Sequence, residues 1–148
     1  MSKRITQRDV YQLQPAILKS LIGLGDAAAS ELEHSLIHLV KLRASQINGC
    51  ALCQHIHANE ARNDGEQQHR LDVLPAWKEV DIFSARERAA LTWTETLTLV
   101  ANKGVSDETY AATAQHFTEK ELVNLTAAIV TINAWNRIAV GFHFAPDF

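Results

Sequence analysis

Two capping boxes, Ser84-Ala85-Arg86-Glu87 and Thr118-Glu119-Lys120-Glu121, constrain this chain more than any other feature, because each commits the residues behind it to an α-helix. In both, the hydroxyl accepts from a backbone N–H three residues on while the carboxylate reaches back to the cap N–H. Two donors that a helix start would otherwise orphan are thereby satisfied. The first box is followed by Ala89, Ala90, Leu91, Trp93, Leu97 and Val100, and its helix stops near Asn102-Lys103-Gly104. The second is followed by Leu122, Leu125, Ile129, Ile132 and Ile138, with an ending blurred by Gly141 and Pro146. Upstream, Leu32, Leu36, Leu39 and Val40 recur on one helix face, and the segment runs through Leu42 to Ile47 until Asn48-Gly49 breaks it. No alternating strand pattern competes, and the β-branched run Ile129-Val130-Thr131-Ile132 sits inside a helical period. The expected fold is all-α: six or seven helices with short connections, in one compact domain over residues 1–148. Ile37–Asn48 and Leu122–Asn133 both run as apolar helices into an Ile-Asn pair, a short match that a duplicated hairpin or chance would equally produce.

Composition sets the surroundings. A chain of 148 residues with 47% hydrophobic and 21% charged positions has enough apolar side chains for one buried core. Fourteen basic against 17 acidic residues leave a formal charge of −3, which gives no electrostatic reason to expect nucleic acid or an anionic membrane as partner. The opening MSKRITQRDVYQL lacks the apolar core of a signal peptide, and no apolar run is long enough to span a bilayer. The expected location is the cytoplasm. Thiols are kept reduced there, so the chain's cysteine pair points to catalysis or metal binding rather than to a structural staple.

Both cysteines and two of the seven histidines lie in Asn48-Gly49-Cys50-Ala51-Leu52-Cys53-Gln54-His55-Ile56-His57. Asn48 reads as an N-cap and Gly49 as the permissive residue at the break, which starts the helix at Cys50. At about 100° per residue, Cys50, Cys53 and His57 fall on one stripe while His55 points elsewhere. Three consequences follow from this placement. Cysteines one turn apart are close enough to form a disulfide. Exposed N–H groups and the helix dipole favour a thiolate. His57, four residues beyond Cys53, can take or relay the thiol proton. Two other readings stand beside this one. Cys-x2-Cys-x3-His offers three zinc ligands, with His38, His55 or His69 as a fourth, although no second ligand pair of similar spacing exists. Alternatively, both cysteines are small buried hydrophobes and His57 an ordinary helix-face residue. Covalent haem attachment would need a His where Gln54 stands.

The stretches LVKLRASQINGCALCQHIHANEAR, GEQQHRLDVLPAW, FSARERAALTWTETLT and INAWNR together resemble the alkylhydroperoxidase D-like branch of the carboxymuconolactone decarboxylase family, over about Leu36 to Arg137. The signature SQINGCxxCxxxH, here Ser45 to His57, is far more specific than a bare CxxC. The resemblance implies an all-helical fold assembled as a homotrimer or homohexamer, and thiol-dependent reduction of alkyl hydroperoxides. It implies Cys53 as the attacking thiol, Cys50 as the resolving one and His57 as the proton relay. Helix electrostatics alone would favour Cys50 as the more acidic thiol, whereas the nearer base favours Cys53. Such a scheme needs no metal or organic cofactor. It needs a hydroperoxide substrate and an external dithiol, for which the resemblance suggests a lipoyl-bearing or thioredoxin-like protein. A redox sensor of the same fold, or a decarboxylase acting on a lactone acid, are the alternatives.

One departure from the family pattern concerns position 38. The family relay usually includes a Glu twelve positions before the first cysteine, and His38 stands there. A histidine accepts a proton near neutral pH, so the relay is expected either to pass through His38 with altered pH dependence or to be broken. Read without the family register, His38 is a partly buried histidine hydrogen-bonded within an apolar face, and Glu31 and Glu33 are alternative carboxylates. Arg43, Glu60 and Arg62 read as ion-paired or solvated structure, with a role in substrate access as the lesser reading. Asn133, Trp135, Asn136 and Arg137 form a polar-aromatic cluster suited to satisfying buried helix ends or, as the lesser reading, to capping an active-site cavity. Trp77 and Trp93 read as core or interface aromatics, and the apolar Leu122–Val140 stretch suggests burial between subunits.

Overall fold

In the computed structural model, which describes residues 3–148, hydroxyl caps open four of the helices: Thr6, Ser84, Ser106 and Thr118 each accept from the backbone N–H three residues ahead. Both expected capping boxes are formed in full. The helices are α1 (Gln7–Leu13), α2 (Ala16–Ala29), α3 (His34–Ile47), α4 (Ala51–Asn63), α5 (Gln68–Asp72), a 3₁₀ helix (Leu74–Glu79), α6 (Ala85–Thr98), α7 (Val100–Lys103), α8 (Asp107–Ala114) and α9 (Glu119–Phe142). The described residues contain no strand. The fold class is all-α, as expected, but the helix count corrects the expected six or seven to ten. The surplus lies in short pieces. Pro15 cannot continue α1 and forces Gln14 out of the helical region, which separates α1 from α2. A kink at Leu99 (φ −102°, ψ 22°) divides α7 from α6. Elements of one or two turns carry too few apolar positions to register as a period.

α9 is the axis of the domain. It packs against α2, α3, α6 and the start of α4. One side of α3 joins it: Leu36, Ile37 and Val40 meet Trp93, Leu125 and Ile129 in the main core. The other side of α3, Leu39 and Leu42, meets Ala61, Leu74, Trp77 and Leu91 in a second cluster under the 3₁₀ helix. Burying each of the larger side chains contributes about 1.5–3 kcal/mol. Trp77 and Trp93 are both core residues. The apolar character of α9 is largely used inside the chain, since Leu122, Leu125, Ala128, Ile129, Ile132 and Ala139 are buried without a second copy. Val123, Val130 and Val140 of the same helix stay outward. No helix is long and apolar enough to cross a membrane among the described residues.

Candidate functional site: the cysteine pair at the start of α4

The turn that delivers the cysteines is built by α3 ending, not by α4 beginning. Asn48 is the C-cap of α3, its N–H on the Ala44 carbonyl and the next N–H, of Gly49, on that of Gln46, and Cys50 takes the N-cap position of α4; the expected N-cap at Asn48 is corrected accordingly. Gly49 supplies φ 64°, a left-handed conformation that would cost a residue with a β-carbon about 1 kcal/mol. Cys50 is extended (φ −88°, ψ 101°), and its Sγ accepts from the Cys53 N–H at 3.2 Å.

A buried polar network holds this turn. The Ser45 carbonyl accepts from the Cys50 N–H at 3.0 Å and from Gln54 Nε2 at 3.4 Å. The Ser45 hydroxyl donates to the Lys41 carbonyl and accepts from Asn136 Nδ2 at 3.0 Å. Asn48 Nδ2 lies 2.9 Å from Asn136 Oδ1 and 3.0 Å from Asn133 Oδ1, and Asn133 Nδ2 reaches Thr98 Oγ1 at 3.0 Å. The Ser-Gln-Ile-Asn-Gly-Cys stretch therefore ties α3 and α4 to α6 and α9, and Asn133 is held further by the Ile129 carbonyl and by Arg137, which donates to its Oδ1 at 2.7 Å. Asn133 and Asn136 thus reach the end of α3 from α9, through the side chain of its C-cap Asn48.

Cys50 and Cys53 are joined as a disulfide, with Cα atoms 5.3 Å apart. They are only 2% and 5% exposed, packed with Ala139 under Leu52 and Phe144. The segment carrying Phe144 is itself anchored. His143 ends α9 in the left-handed conformation, the Phe144 N–H returns to the Ala139 carbonyl at 2.8 Å, and the Tyr11 ring meets the edges of Trp135 and Phe144. Arg4 caps the Val140 and Gly141 carbonyls, beside an open cavity of about 490 Å³ lined in part by Arg4, Thr6, Phe142 and Phe144.

His57 stands one turn beyond Cys53. Its Nδ1 is 3.1 Å from Glu60 Oε2, and the ring borders a cavity of about 160 Å³ enclosed by α2, α3 and α9, with Asp26, Lys41 and Trp135 among its walls. The hydrogen bond to His57 holds the Glu60 carboxyl below its ordinary value; burial opposes it, and the charges of His57, Lys41 and His38 add to the lowering. His55 points elsewhere, bonded to Asn59 with its ring against the Phe148 edge. His38 is directed to Asp64, Nε2 to Oδ2 2.9 Å, and its buried Nδ1 has no partner. Its bond reaches neither His57 nor the cysteines. His69 lies exposed on α5, and no group of three His, Cys, Asp or Glu side chains arranged to hold a metal is found among the described residues. Arg43 is engaged with Glu95 at 2.9 Å, as Trp77 Nε1 is at 3.0 Å, while Arg62 bonds Asn59 and Gln68 at the surface.

The structure thus brings Cys50, Cys53 and His57 onto one side of α4 and leaves His38 a helix away on its own carboxylate. In sequence Glu60 read as ion-paired or solvated structure with no link to His57, and Asp64 carried no signal.

Comparison with known proteins places this geometry. Residues 15–96 match the sequence profile of the Carboxymuconolactone decarboxylase family. The uncharacterized protein YdfG of Bacillus subtilis is 37% identical over 141 residues, which span 95% of this chain and 94% of that protein. A protein of unknown function from Agrobacterium tumefaciens, provisionally named for the antioxidant defence protein AhpD, superposes with a TM-score of 0.90 at 38% identity and covers 99% of this chain and 100% of its own. An uncharacterized peroxidase-related protein from Silicibacter gives a TM-score of 0.80 at 17% identity, over 94% of this chain and 74% of its own, a likeness of fold alone.

Proposed function

The chain belongs to the carboxymuconolactone decarboxylase family, in its alkylhydroperoxidase D-like branch, and from that premise we propose that it is a thiol peroxidase that reduces alkyl hydroperoxides through a Cys50/Cys53 cycle. The observation carrying the proposal is the cysteine pair at the start of α4, close enough to be bridged, with a histidine one turn beyond it. In the cycle, the Cys53 thiolate attacks the distal oxygen of ROOH, forming an S–O bond as the O–O bond breaks. His57 gives the alkoxide its proton, so ROH leaves and Cys53 becomes a sulfenic acid. The Cys50 thiol then condenses with it, releasing water and forming the disulfide. An external dithiol, lipoyl-bearing or thioredoxin-like, reduces that bond by exchange through a mixed disulfide. No metal or organic cofactor enters the scheme. His38, on Asp64 and near Glu60, acts on the relay at one remove.

The same proposal includes a cytoplasmic setting, where reductant is at hand, and a homotrimer or homohexamer. Apolar side chains left exposed on α2 and α9, Ile22, Leu24, Val123 and Val130, support assembly. A second reading has an observation of its own. Both sulfurs are almost fully buried, which favours a redox sensor that cycles slowly. Steady-state turnover of cumene hydroperoxide with dithiothreitol or a dithiol protein separates the two. The peroxidase turns over, and Cys53→Ser abolishes it. A single oxidation event without turnover identifies the sensor, and activity surviving in the Cys50→Ser/Cys53→Ser double variant identifies a different chemistry.

A further inference from the structure

We propose that Glu60 is the positioning residue of this site, holding His57 in the one tautomer and orientation that leaves Nε2 free to take the Cys53 proton. The inference rests on His57 serving Cys53 as described above. Its geometry is specific: Glu60 Oε2 lies 3.1 Å from His57 Nδ1, on the same helix and one turn on. An ionised carboxylate only accepts hydrogen bonds, so the shared proton must sit on Nδ1 and the lone pair on Nε2. Glu60 is ionised at neutral pH, because the His57 bond and nearby positive charge favour the charged form.

The two residues also divide the surroundings between them. The His57 side chain is 13% exposed and faces the enclosed cavity of about 160 Å³, whereas Glu60 is 49% exposed and opens onto a groove of about 400 Å³ along α3 and α4. Lys41 lines both. The charged and titratable groups around the pair are His34, His38 and Lys41 on α3, Asp26 on α2 and Asp64 after α4; α9 contributes Thr131 and Trp135, which do not titrate in this range. When His57 takes the Cys53 proton, the ring becomes a cation inside the protein, and the Glu60 carboxylate is the anion placed to compensate it. The proton later passes from Nε2 to the alkoxide, so the Nδ1–H to Glu60 bond is kept throughout and nothing is gained or lost at Glu60.

The test reads the thiol without peroxide. In the reduced Cys50→Ser protein, Cys53 is the sole thiol, and its alkylation rate by iodoacetamide is followed by mass from about pH 5 to about pH 9. Glu60→Gln is expected to move the profile up by about one pH unit and to slow alkylation at neutral pH about tenfold. Glu60→Asp, which keeps the charge, is expected to stay within about threefold of the parent. A Gln profile that superposes on the parent overturns the inference, and so does one in which Asp and Gln move alike. Nitrogen-15 NMR of the unsubstituted protein gives an answer independent of any variant: the neutral His57 ring is expected as the Nδ1–H tautomer, and the Nε2–H form overturns the inference. Peroxide consumption is scored separately. A Glu60-dependent profile in a protein inert to hydroperoxide sinks the peroxidase reading and leaves the role of Glu60 standing.

Discussion

At the scale of single residues, the site depends on groups that never touch sulfur. Asn136 is fully buried and bonds both Ser45 and Asn48, so Asn136→Ala removes both bonds and leaves Ser45 only the Lys41 carbonyl and Asn48 only Asn133. It is expected to lower stability by about 1–3 kcal/mol, read as a lower urea midpoint at unchanged slope. Gly49→Ala places a β-carbon at φ 64° and is expected to cost about 1 kcal/mol in the same assay, with nothing nearby for the added methyl to clash with. The stripe of Cys50, Cys53 and His57 could be read from spacing, because helical geometry is local. The partners of Ser45 and Asn48 could not, since they lie 85 to 91 positions away and no periodicity reports which polar side chains meet. The N-cap reading of Asn48 failed for a related reason. Asn suits both ends of a helix, and a left-handed Gly after it marks the end of α3 rather than the start of α4.

At the scale of elements, Arg86 joins three helix boundaries. Its guanidinium bonds Glu33 before α3, Glu121 in the first turn of α9 and the His116 carbonyl after α8, and stacks 4.5 Å over the Phe117 ring. The bond from Arg86, with the Thr118 backbone N–H adding, holds Glu121 down at about 2, and Arg86 likewise lowers Glu33. A carboxyl depressed in the folded state stabilises the fold above its ordinary value of 4.5 and ceases to as pH falls toward 2. Urea midpoints should therefore fall between about pH 5 and about pH 2, and Arg86→Ala should flatten that fall as well as lowering stability at neutral pH. The capping boxes that fix these boundaries were visible in sequence; the arginine that links them was not, because its partners come from three separate segments. At the far end of α9, Phe144 covers the disulfide. Phe144→Ala is expected to speed reduction by dithiothreitol severalfold, since exchange depends on access to sulfur. An unchanged rate would mean that the cover is not what limits entry.

At the scale of the whole molecule, the all-helical class followed from two facts about the chain: apolar residues recur at helical spacing nearly throughout, and nothing alternates. Helix number did not follow, because α5, α7 and the 3₁₀ helix are too short to show a period; α5 and the 3₁₀ helix are held by the packing of Leu71, Leu74 and Trp77, and α7 buries no side chain at all. The apolar character of α9 serves the inside of the chain first. An apolar helix in a small domain looks as though it needs a partner subunit, but four helices of the same chain supply most of what it buries. What remains outward is the set of side chains on which the proposed assembly rests, and light scattering should return three or six chains, against a monomer if those side chains are only a solvated face. The central claim is chemical, and the measurement that meets it most directly is the intact mass and free-thiol count of the reduced protein before and after one equivalent of an organic hydroperoxide, beside Cys53→Ser and Cys50→Ser. The unsubstituted protein is expected to lose two hydrogens and both thiols, Cys50→Ser to stop at a sulfenic acid and Cys53→Ser to be inert. Two thiols that survive an excess of hydroperoxide would contradict that claim.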